Sequence, residues 1–265
     1  MFEAIILGTI QGVTEWLPIS SEGITTLVYT ALTKNTVPLE EIIRLSLFLH
    51  GGTFLAALVY FWKDVRDIIL ALFWREKTEE IHHLVRFLII ATGVSGSVGL
   101  ILFSGIKIAS DWLQVGGSGI TGLIGMFLII TGVLQLTQKK EHSNIRETRD
   151  LTMKDALVLG VVQGCAVLPG LSRSGITVAA LLFRSYATAS ALRVSFLMSL
   201  PIVLGGNILL NSKEFAITPP LMAGFFVSFF FGFLTINGLL KLAQKINFGY
   251  FALGFGVLAL LAAFI

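Results

Sequence analysis

Six long stretches of this 265-residue chain contain no Asp, Glu, Lys or Arg, and their lengths run from 18 to 27 residues. An α-helix rises 1.5 Å per residue, so about 20 apolar residues cross the hydrocarbon core of a membrane. Charged residues are 13% of the chain, whereas soluble domains carry about 25%. Six transmembrane helices are therefore predicted, over residues 45–62, 87–106, 112–138, 194–212, 215–240 and 246–265.

Two further apolar stretches are interrupted by polar and helix-breaking residues. Residues 4–32 contain the sequence GVTEWLPISSEG, and residues 156–183 contain AVLPGLSRSG. Pro, Gly and paired Ser break helices, and each stretch carries charge near its middle. Each arm is too short to cross a bilayer comfortably, so each stretch is predicted to form a re-entrant hairpin of two short helices. Such irregular backbone at membrane depth is tolerated only where protein or water satisfies its polar groups.

The two interrupted stretches are copies of each other. The segments LGTIQGVTEWLPISSEGIT (7–25) and LGVVQGCAVLPGLSRSGIT (159–177) align without a gap and are identical at 8 of 19 positions. The glycine pair at 51–52 is echoed at 205–206. The chain is therefore predicted to be an internal duplication. Its parts are a first repeat (1–137, hairpin 4–32 plus three spans), a linker (138–154), and a second repeat (155–265, hairpin 156–183 plus three spans).

The distribution of Lys and Arg predicts the topology, because cytoplasmic loops are enriched in these residues. If both hairpins are re-entrant, one face carries 14 of the 19, in the loop 63–86, the linker and two later connections, and the opposite face carries 4. The linker is then cytoplasmic and both termini lie outside. Each repeat crosses three times, so the repeats are inverted and their loops can meet near the midplane, where such proteins place their sites. The predicted fold is an all-α integral membrane protein with six transmembrane helices, two re-entrant hairpins and an inverted-topology repeat.

The two loops hold polar residues that are expensive at membrane depth, where one charged side chain costs roughly 2.5–3.5 kcal/mol. The glycines and Arg173 of GLSRSG suit an oxyanion, because backbone N–H groups converge there and arginine binds phosphate with two parallel hydrogen bonds. A functional site is therefore favoured over the alternative, a buried ion pair that locks the repeats together. The net charge of +3 is too small to suggest a nucleic-acid partner. The candidate residues are Gln11, Glu15, Ser20, Ser21, Glu22, Thr25, Gln163, Ser172, Arg173, Ser174 and Thr177.

The loop sequences QGVTEWLPISS and PGLSRSGIT resemble those of the undecaprenyl-diphosphate phosphatase family of the bacitracin-resistance type, and the resemblance covers the whole chain. It implies a multi-pass hydrolase of the cytoplasmic membrane, with its site open toward the outer face. Such an enzyme converts a polyprenyl diphosphate to the monophosphate, which recycles the lipid carrier of cell-wall or surface-glycan synthesis. Divalent cations assist the family's reaction. The partners that follow are the polyprenyl diphosphate lipid and the bilayer, and a homodimer is left open.

The resemblance also implies roles for individual residues. Glu15, Ser21 and Arg173 are the expected catalytic residues, with Glu15 activating either Ser21 or a water. One arginine cannot balance a diphosphate, so Mg²⁺ or Ca²⁺ bound by Glu15 and Glu22 is expected as well. Gln11 stands where many members of the family have Glu, and Ser20 belongs to the family's serine pair. The expected substrate-binding residues are Gln11, Ser20, Glu22, Ser172, Ser174 and Thr177.

The first loop departs from the family pattern at Ile24, where the family usually has histidine, and Glu22 adds a carboxylate two residues earlier. Either Glu15 or Glu22 then takes over proton transfer, or hydrolysis has been lost. The alternative function is a lipid-phosphate transporter or flippase, or a diverged relative that lacks hydrolysis. His50 could reach the loop, although a lone histidine at the end of a span is more often a packed or interfacial residue.

Overall fold

The computed structural model describes residues 1–33, 39–73, 78–113, 117–137, 145–168, 170–211 and 218–264. Residues 138–144 of the predicted linker and several ends of predicted spans lie outside these ranges. The described ranges form α-helices and one short 3-10 helix, and they contain no β-strand. The helices are α1 (Phe2–Thr14), α2 (Ser21–Thr33), α3 (Leu39–Tyr60), α4 (Trp62–Phe73), α5 (Glu79–Leu113), α6 (Gly117–Leu136), α7 (Met153–Cys165), α8 (Arg173–Phe183), α9 (Thr188–Asn211), α10 (Pro219–Lys245) and α11 (Gly249–Ala263).

The long helices make this a multi-pass membrane protein. Three helical stretches are long and apolar enough to cross a bilayer, namely 79–105 in α5, 188–209 in α9 and 219–245 in α10. The pair α3–α4 adds a fourth candidate that is bent by 85°. The apolar parts of α6 and α11 are shorter, at residues 121–136 and 249–263. The predicted all-helical membrane class is thus confirmed, and the count of six spans stays a prediction.

Both interrupted stretches form two short helices with a break between them. The first break separates α1 from α2, and the second separates α7 from α8. Ser20 and Gly170 have left-handed backbone in these breaks, with φ of 65° and 93°. A Cβ on Gly170 would also lie only 2.6 Å from the carbonyl oxygen of Ile124, so glycine is required there for two reasons.

The duplicated glycines bring each repeat against the other. In the first repeat, a Cβ on Gly8 would lie 2.2 Å from the carbonyl oxygen of Gly224 in α10. In the second, a Cβ on Gly160 would lie 2.9 Å from the carbonyl oxygen of Ala91 in α5. Small residues at such spacing let helix backbones approach closely in membranes. Helix α1 therefore packs on α10 of the second repeat, and α7 packs in the same way on α5 of the first.

The charged loop expected over 63–86 is wrong in part, because helix α4 occupies its first half. Apolar residues of α4 face the protein: Ile68 packs against the main core and Ala71 is buried. Asp64 at its start forms an ion pair with Arg193 of α9. The charges at 63–67 are typical of a cytoplasmic loop, so the apolar face of this amphipathic helix is not evident from the sequence.

A buried carboxylate, Asp155, ties the segment before α7 to the connection after α8. Arg184 donates to its Oδ1, while Arg146 Nη2 at 3.0 Å and Tyr186 Oη at 2.9 Å donate to Oδ2. Thr152 adds a capping hydrogen bond at the start of α7. Burial alone would raise the pKa of Asp155, but the hydrogen bonds from Thr152 and the two arginines outweigh it and hold the pKa well below its usual range.

Candidate functional site

Two helix N-termini face one polar pocket, and equivalent serines of the two repeats cap them. Ser20 Oγ accepts a hydrogen bond from the Gly23 N–H at 3.1 Å, and Ser172 Oγ accepts one from the Gly175 N–H at 3.1 Å. Such caps satisfy the free N–H groups of the first turn. Both serines line the pocket, so the positive ends of α2 and α8 are close to it.

The loop between α1 and α2 is held by neighbouring helices. The indole Nε1 of Trp16 donates to the carbonyl of Gly232 in α10 at 3.0 Å, and Trp16 is almost fully buried. Gln135 of α6 donates to the carbonyl of Pro18 at 2.5 Å. The two loops also touch, because Ser174 Oγ donates to the carbonyl of Leu17 at 3.4 Å. The site therefore stands on fixed elements rather than on a free loop.

The buried carboxylate of Glu15 is the centre of the pocket. Its Oε1 accepts a hydrogen bond from Arg173 Nη2 at 2.5 Å, across 158 residues of chain. Its Oε2 accepts from Gln11 Nε2 at 2.9 Å and from Ser21 Oγ at 2.8 Å. The structure thus brings together Glu15, Ser21 and Arg173, the three residues predicted as catalytic, and the ion pair joins one repeat to the other.

His50 of α3 completes the group. Its Nε2 lies 3.1 Å from Glu15 Oε2 and 3.5 Å from Ser21 Oγ. Its Nδ1 lies 2.7 Å from the carbonyl oxygen of Ser46, which can only accept, so Nδ1 carries a hydrogen. Two acceptors do not approach to 3.1 Å without a proton between them. We therefore infer that the imidazole and the Glu15 carboxylate share one proton.

The polar pocket is small, with a volume of about 30 Å³. That volume holds on the order of one water while Arg173 is paired with Glu15. The carboxylate of Glu22 faces the pocket and makes no hydrogen bond or ion pair with any residue that the structure describes. Because Ser20 caps α2, Glu22 is not the capping residue. The pocket is lined by Glu15, Ser20, Ser21, Glu22, His50, Leu171, Ser172, Arg173 and Ser174.

An apolar groove of about 320 Å³ adjoins this pocket. Helices α3, α5, α7 and α9 contribute to its walls, which are mostly apolar. Glu22, His50 and Arg173 line both the groove and the pocket, so they mark the junction of the two cavities. A ligand with a charged head and an apolar tail fits this arrangement.

Of the nine residues predicted to have catalytic or substrate-binding roles, seven line the polar pocket, and Gln11 and Thr177 lie behind it. Gln11 is fully buried and reaches the pocket only through its hydrogen bond to Glu15. Thr177 Oγ1 donates to the Arg173 carbonyl at 2.7 Å and lies 2.7 Å from Ser195 Oγ. Both residues therefore position catalytic groups in this structure rather than face the cavity.

His50 is the residue that sequence reasoning undervalued. The sequence offers His50 as a candidate replacement for the histidine that the resemblance implies, but a packed or interfacial residue is the more common interpretation of a lone histidine there. The available signal was its place within a charge-free span, because an ionisable residue inside a membrane is functional by default. The partner could not be read from the sequence, since it depends on how α3 is rotated toward the first loop.

The donor set offers limited support for a divalent cation. Within the described ranges, no three His, Cys, Asp or Glu side chains cluster as metal ligands. Both oxygens of Glu15 are engaged by Arg173, Gln11 and Ser21. Glu22 has a free carboxylate, and Mg²⁺ often binds through one carboxylate together with substrate phosphates. Glu22 therefore fits a cation better than Glu15 does, and the expected Mg²⁺ or Ca²⁺ stays a prediction.

Comparisons with known proteins agree with this geometry. A family model described as bacitracin resistance protein BacA matches residues 4–261. The chain belongs to this family. A protein of Methanococcoides burtonii named undecaprenyl-diphosphatase is 43% identical, covering 99% of this chain and 98% of that protein. Proteins with the same name from Haloarcula marismortui and Methanococcus maripaludis are 39% and 36% identical, covering 92% and 99% of this chain and 90% and 97% of those proteins.

Proposed function

We propose that this protein hydrolyses a polyprenyl diphosphate of the undecaprenyl type to the monophosphate and so recycles a lipid carrier of cell-wall or surface-glycan synthesis. One observation carries the proposal: the Glu15–Arg173–Ser21 group lies in a polar pocket that opens into an apolar groove. The pocket suits a phosphate head, and the groove suits a prenyl tail. The names of the relatives support the same substrate.

Arg173 is the phosphate-binding residue of the proposed reaction. Its guanidinium is paired with Glu15 in the free protein, and the pocket leaves little volume beside the pair. The terminal phosphate therefore replaces the Glu15 carboxylate as the partner of Arg173. The N-termini of α2 and α8 add positive potential, and these groups stabilise charge on the transferring phosphoryl group.

Ser21 Oγ, or a water in its place, is the nucleophile. As its oxygen bonds to the terminal phosphorus, its proton passes to Glu15 Oε2, which lies 2.8 Å from the hydroxyl. The bond from phosphorus to the bridging oxygen breaks, and that oxygen keeps the electron pair on the prenyl monophosphate. If Ser21 attacks, water then hydrolyses the phosphoserine.

His50 takes part through the proton that it shares with Glu15. An imidazolium beside Arg173 gives the site a second positive charge, which suits a substrate carrying two to three negative charges. His50 also lines the groove, where the prenyl phosphate departs, so it can return a proton to the leaving oxygen. Glu22 would hold Mg²⁺ or Ca²⁺, and a bound cation would neutralise further phosphate charge.

We further propose that α3, α5, α6, α9, α10 and α11 are the six spans and that α1–α2 and α7–α8 are re-entrant hairpins of an inverted repeat. The exchange of α1 and α7 between the halves supports this topology, as does the 14-to-4 division of Lys and Arg. The protein then sits in the cytoplasmic membrane with its site open to the outer face.

Phosphate release from undecaprenyl diphosphate by the purified protein in detergent tests the function. Wild type is expected to turn over the lipid, and Arg173→Ala to release at least a thousandfold less phosphate. A lipid that crosses reconstituted vesicles uncleaved, with no phosphate released, would instead establish the transporter.

A further inference from the structure

Each repeat has a glycine pair at the equivalent position of its first long helix, and the two pairs differ in what packs against them. In α3, a Cβ on Gly51 would lie 2.7 Å from the Phe225 ring, and one on Gly52 would lie 2.4 Å from the Phe225 carbonyl oxygen. Helix α10 thus packs directly on this pair. In α9, a Cβ on the equivalent Gly205 would meet no atom of the described residues within 4 Å, and one on Gly206 would first meet Leu47 at 3.5 Å.

The apolar groove lies beside the glycine pair of α9, which no other helix in the described part of the chain covers closely. By order in each repeat, α5 is the counterpart of α10 and α9 is the counterpart of α3, yet α5 packs on α9 much less closely than α10 packs on α3. Gly96 and Gly99 of α5 and Gly205 and Gly206 of α9 all line the groove. A Cβ on Gly96 also meets no described atom within 4 Å. Glycines of two helices therefore keep the groove wide.

We propose that Gly96 and Gly205 are specificity-determining residues, which set the room for the first isoprene units of the lipid tail. The inference rests on the proposed phosphatase function. At roughly 30 Å³ per heavy atom, the 320 Å³ groove takes about two isoprene units. The remaining units of a long tail lie outside the groove, in the bilayer.

Continuity with the polar pocket identifies the tail as the occupant. The groove meets the pocket at Arg173 and His50, so the units next to the diphosphate enter it first. The methyl branch on each isoprene unit makes this chain wider than a straight acyl chain. Because lipid tails and prenyl tails are equally apolar, selection in the groove depends on shape rather than on the hydrophobic effect.

Substitution of either glycine by leucine tests the proposal by filling the groove. Each leucine adds four heavy atoms, on the order of 100 Å³, which is about one isoprene unit. Leucine also favours helix more than glycine does, so loss of the helix is not expected. The measurement is the ratio of kcat/KM for undecaprenyl diphosphate to that for isopentenyl diphosphate, whose tail is one unit long.

We expect Gly96→Leu and Gly205→Leu each to lower this ratio at least tenfold, and the corresponding alanine variants to lower it less. The matched controls are Gly93→Leu in α5 and Gly254→Leu in α11, because a Cβ there also meets open space but neither residue lines the groove. Both controls should keep the wild-type ratio.

The outcomes separate the two proposals. If wild type releases no phosphate from either diphosphate, the proposed phosphatase function is wrong. If wild type is active and all four leucine variants keep its ratio, the groove is not the tail site and the function stands. An equal loss in the groove variants and the controls also overturns the assignment, as does an alanine effect as large as that of leucine.

Discussion

His50 Nε2 and Glu15 Oε2 lie 3.1 Å apart, which places an imidazole from the first long helix within hydrogen-bond distance of a carboxylate from the first loop. The Ser46 carbonyl fixes the other ring nitrogen as a donor and directs Nε2 at the site. This arrangement supplies a histidine beside a loop that has Ile24 where the family resemblance implies histidine, and it determines what mutagenesis of His50 should show.

Replacing His50 by glutamine should lower kcat for undecaprenyl diphosphate about 10²- to 10⁴-fold with little change in KM, because proton transfer contributes on this scale. Steady-state phosphate release measures both parameters. The exposed His83 gives the control, and His83→Gln should behave as wild type. A rise in KM at unchanged kcat would assign His50 to substrate binding alone.

Restoring the family residue by Ile24→His should have little effect in wild type, since His50 already supplies an imidazole. In the His50→Gln background, Ile24→His should raise kcat at least tenfold, because residue 24 lies one turn beyond Ser21 on α2. Rates of the two single variants and the double variant give this comparison. Equal rates of His50→Gln with and without Ile24→His would show that the two positions are not interchangeable.

Arg173→Lys should retain less than a tenth of wild-type turnover, because an ammonium cannot form the two parallel hydrogen bonds that a guanidinium gives to phosphate. Arg173→Ala should be essentially inactive. Elution as a single species in detergent checks that both variants are folded, and a fluorescent prenyl diphosphate measures binding. Near-normal turnover by Arg173→Ala would remove the phosphate-binding assignment.

Glu22→Gln should shift the requirement for Mg²⁺ or Ca²⁺ to higher concentration and leave the melting temperature nearly unchanged, because Ser20 rather than Glu22 caps α2. Cation titrations of activity after chelation measure the first effect. Stabilisation of the protein by Ca²⁺ in thermal unfolding gives a readout that does not need turnover. A lower melting temperature with unaltered cation dependence would leave Glu22 a role only at the helix dipole.

Asp155→Asn should destabilise the protein by about 3 kcal/mol at neutral pH, since Arg146 and Arg184 lose a buried partner. The folded pKa of Asp155 lies below its usual range, so the charged carboxylate stabilises the fold above about pH 4 and this contribution fades as pH falls further. In thermal unfolding, the difference in stability between wild type and variant should therefore narrow as the pH falls from 7 to 3. Glu3→Gln, at the equivalent exposed position of the first repeat, is the control.

The sequence predicted the two helix breaks well, because Pro18, Gly170 and the paired serines mark both breaks locally, and the re-entrant course of the two helix pairs stays a prediction. It also predicted that Glu15, Ser21 and Arg173 belong together, because the repeat places one loop in each half. The roles of Gln11 and Thr177 as supports behind the pocket could not be predicted, since the direction of a side chain depends on packing between distant helices.

Equal sequences in the two repeats do not have equal surroundings in the structure. Gly51–Gly52 and Gly205–Gly206 look alike in the sequence, but one pair is covered by α10 and the other borders a cavity. The difference arises because α10 packs closely on α3 whereas α5 packs less closely on α9. No local sequence pattern predicts this distance between helices. Helix α4 escaped prediction for a related reason, as its apolar face is recognised only once the core that it covers is known.

The exchange of α1 and α7 between the repeats means that neither half of the chain is a complete folding unit. The partner of α1 is translated only after residue 218, so the glycines of the first helix are covered only when the last fifth of the protein has been synthesised. Helix α7, in contrast, is synthesised after its partner α5. Assembly during synthesis is therefore asymmetric although the repeat is not, and the first loop with Glu15 is locked in place last.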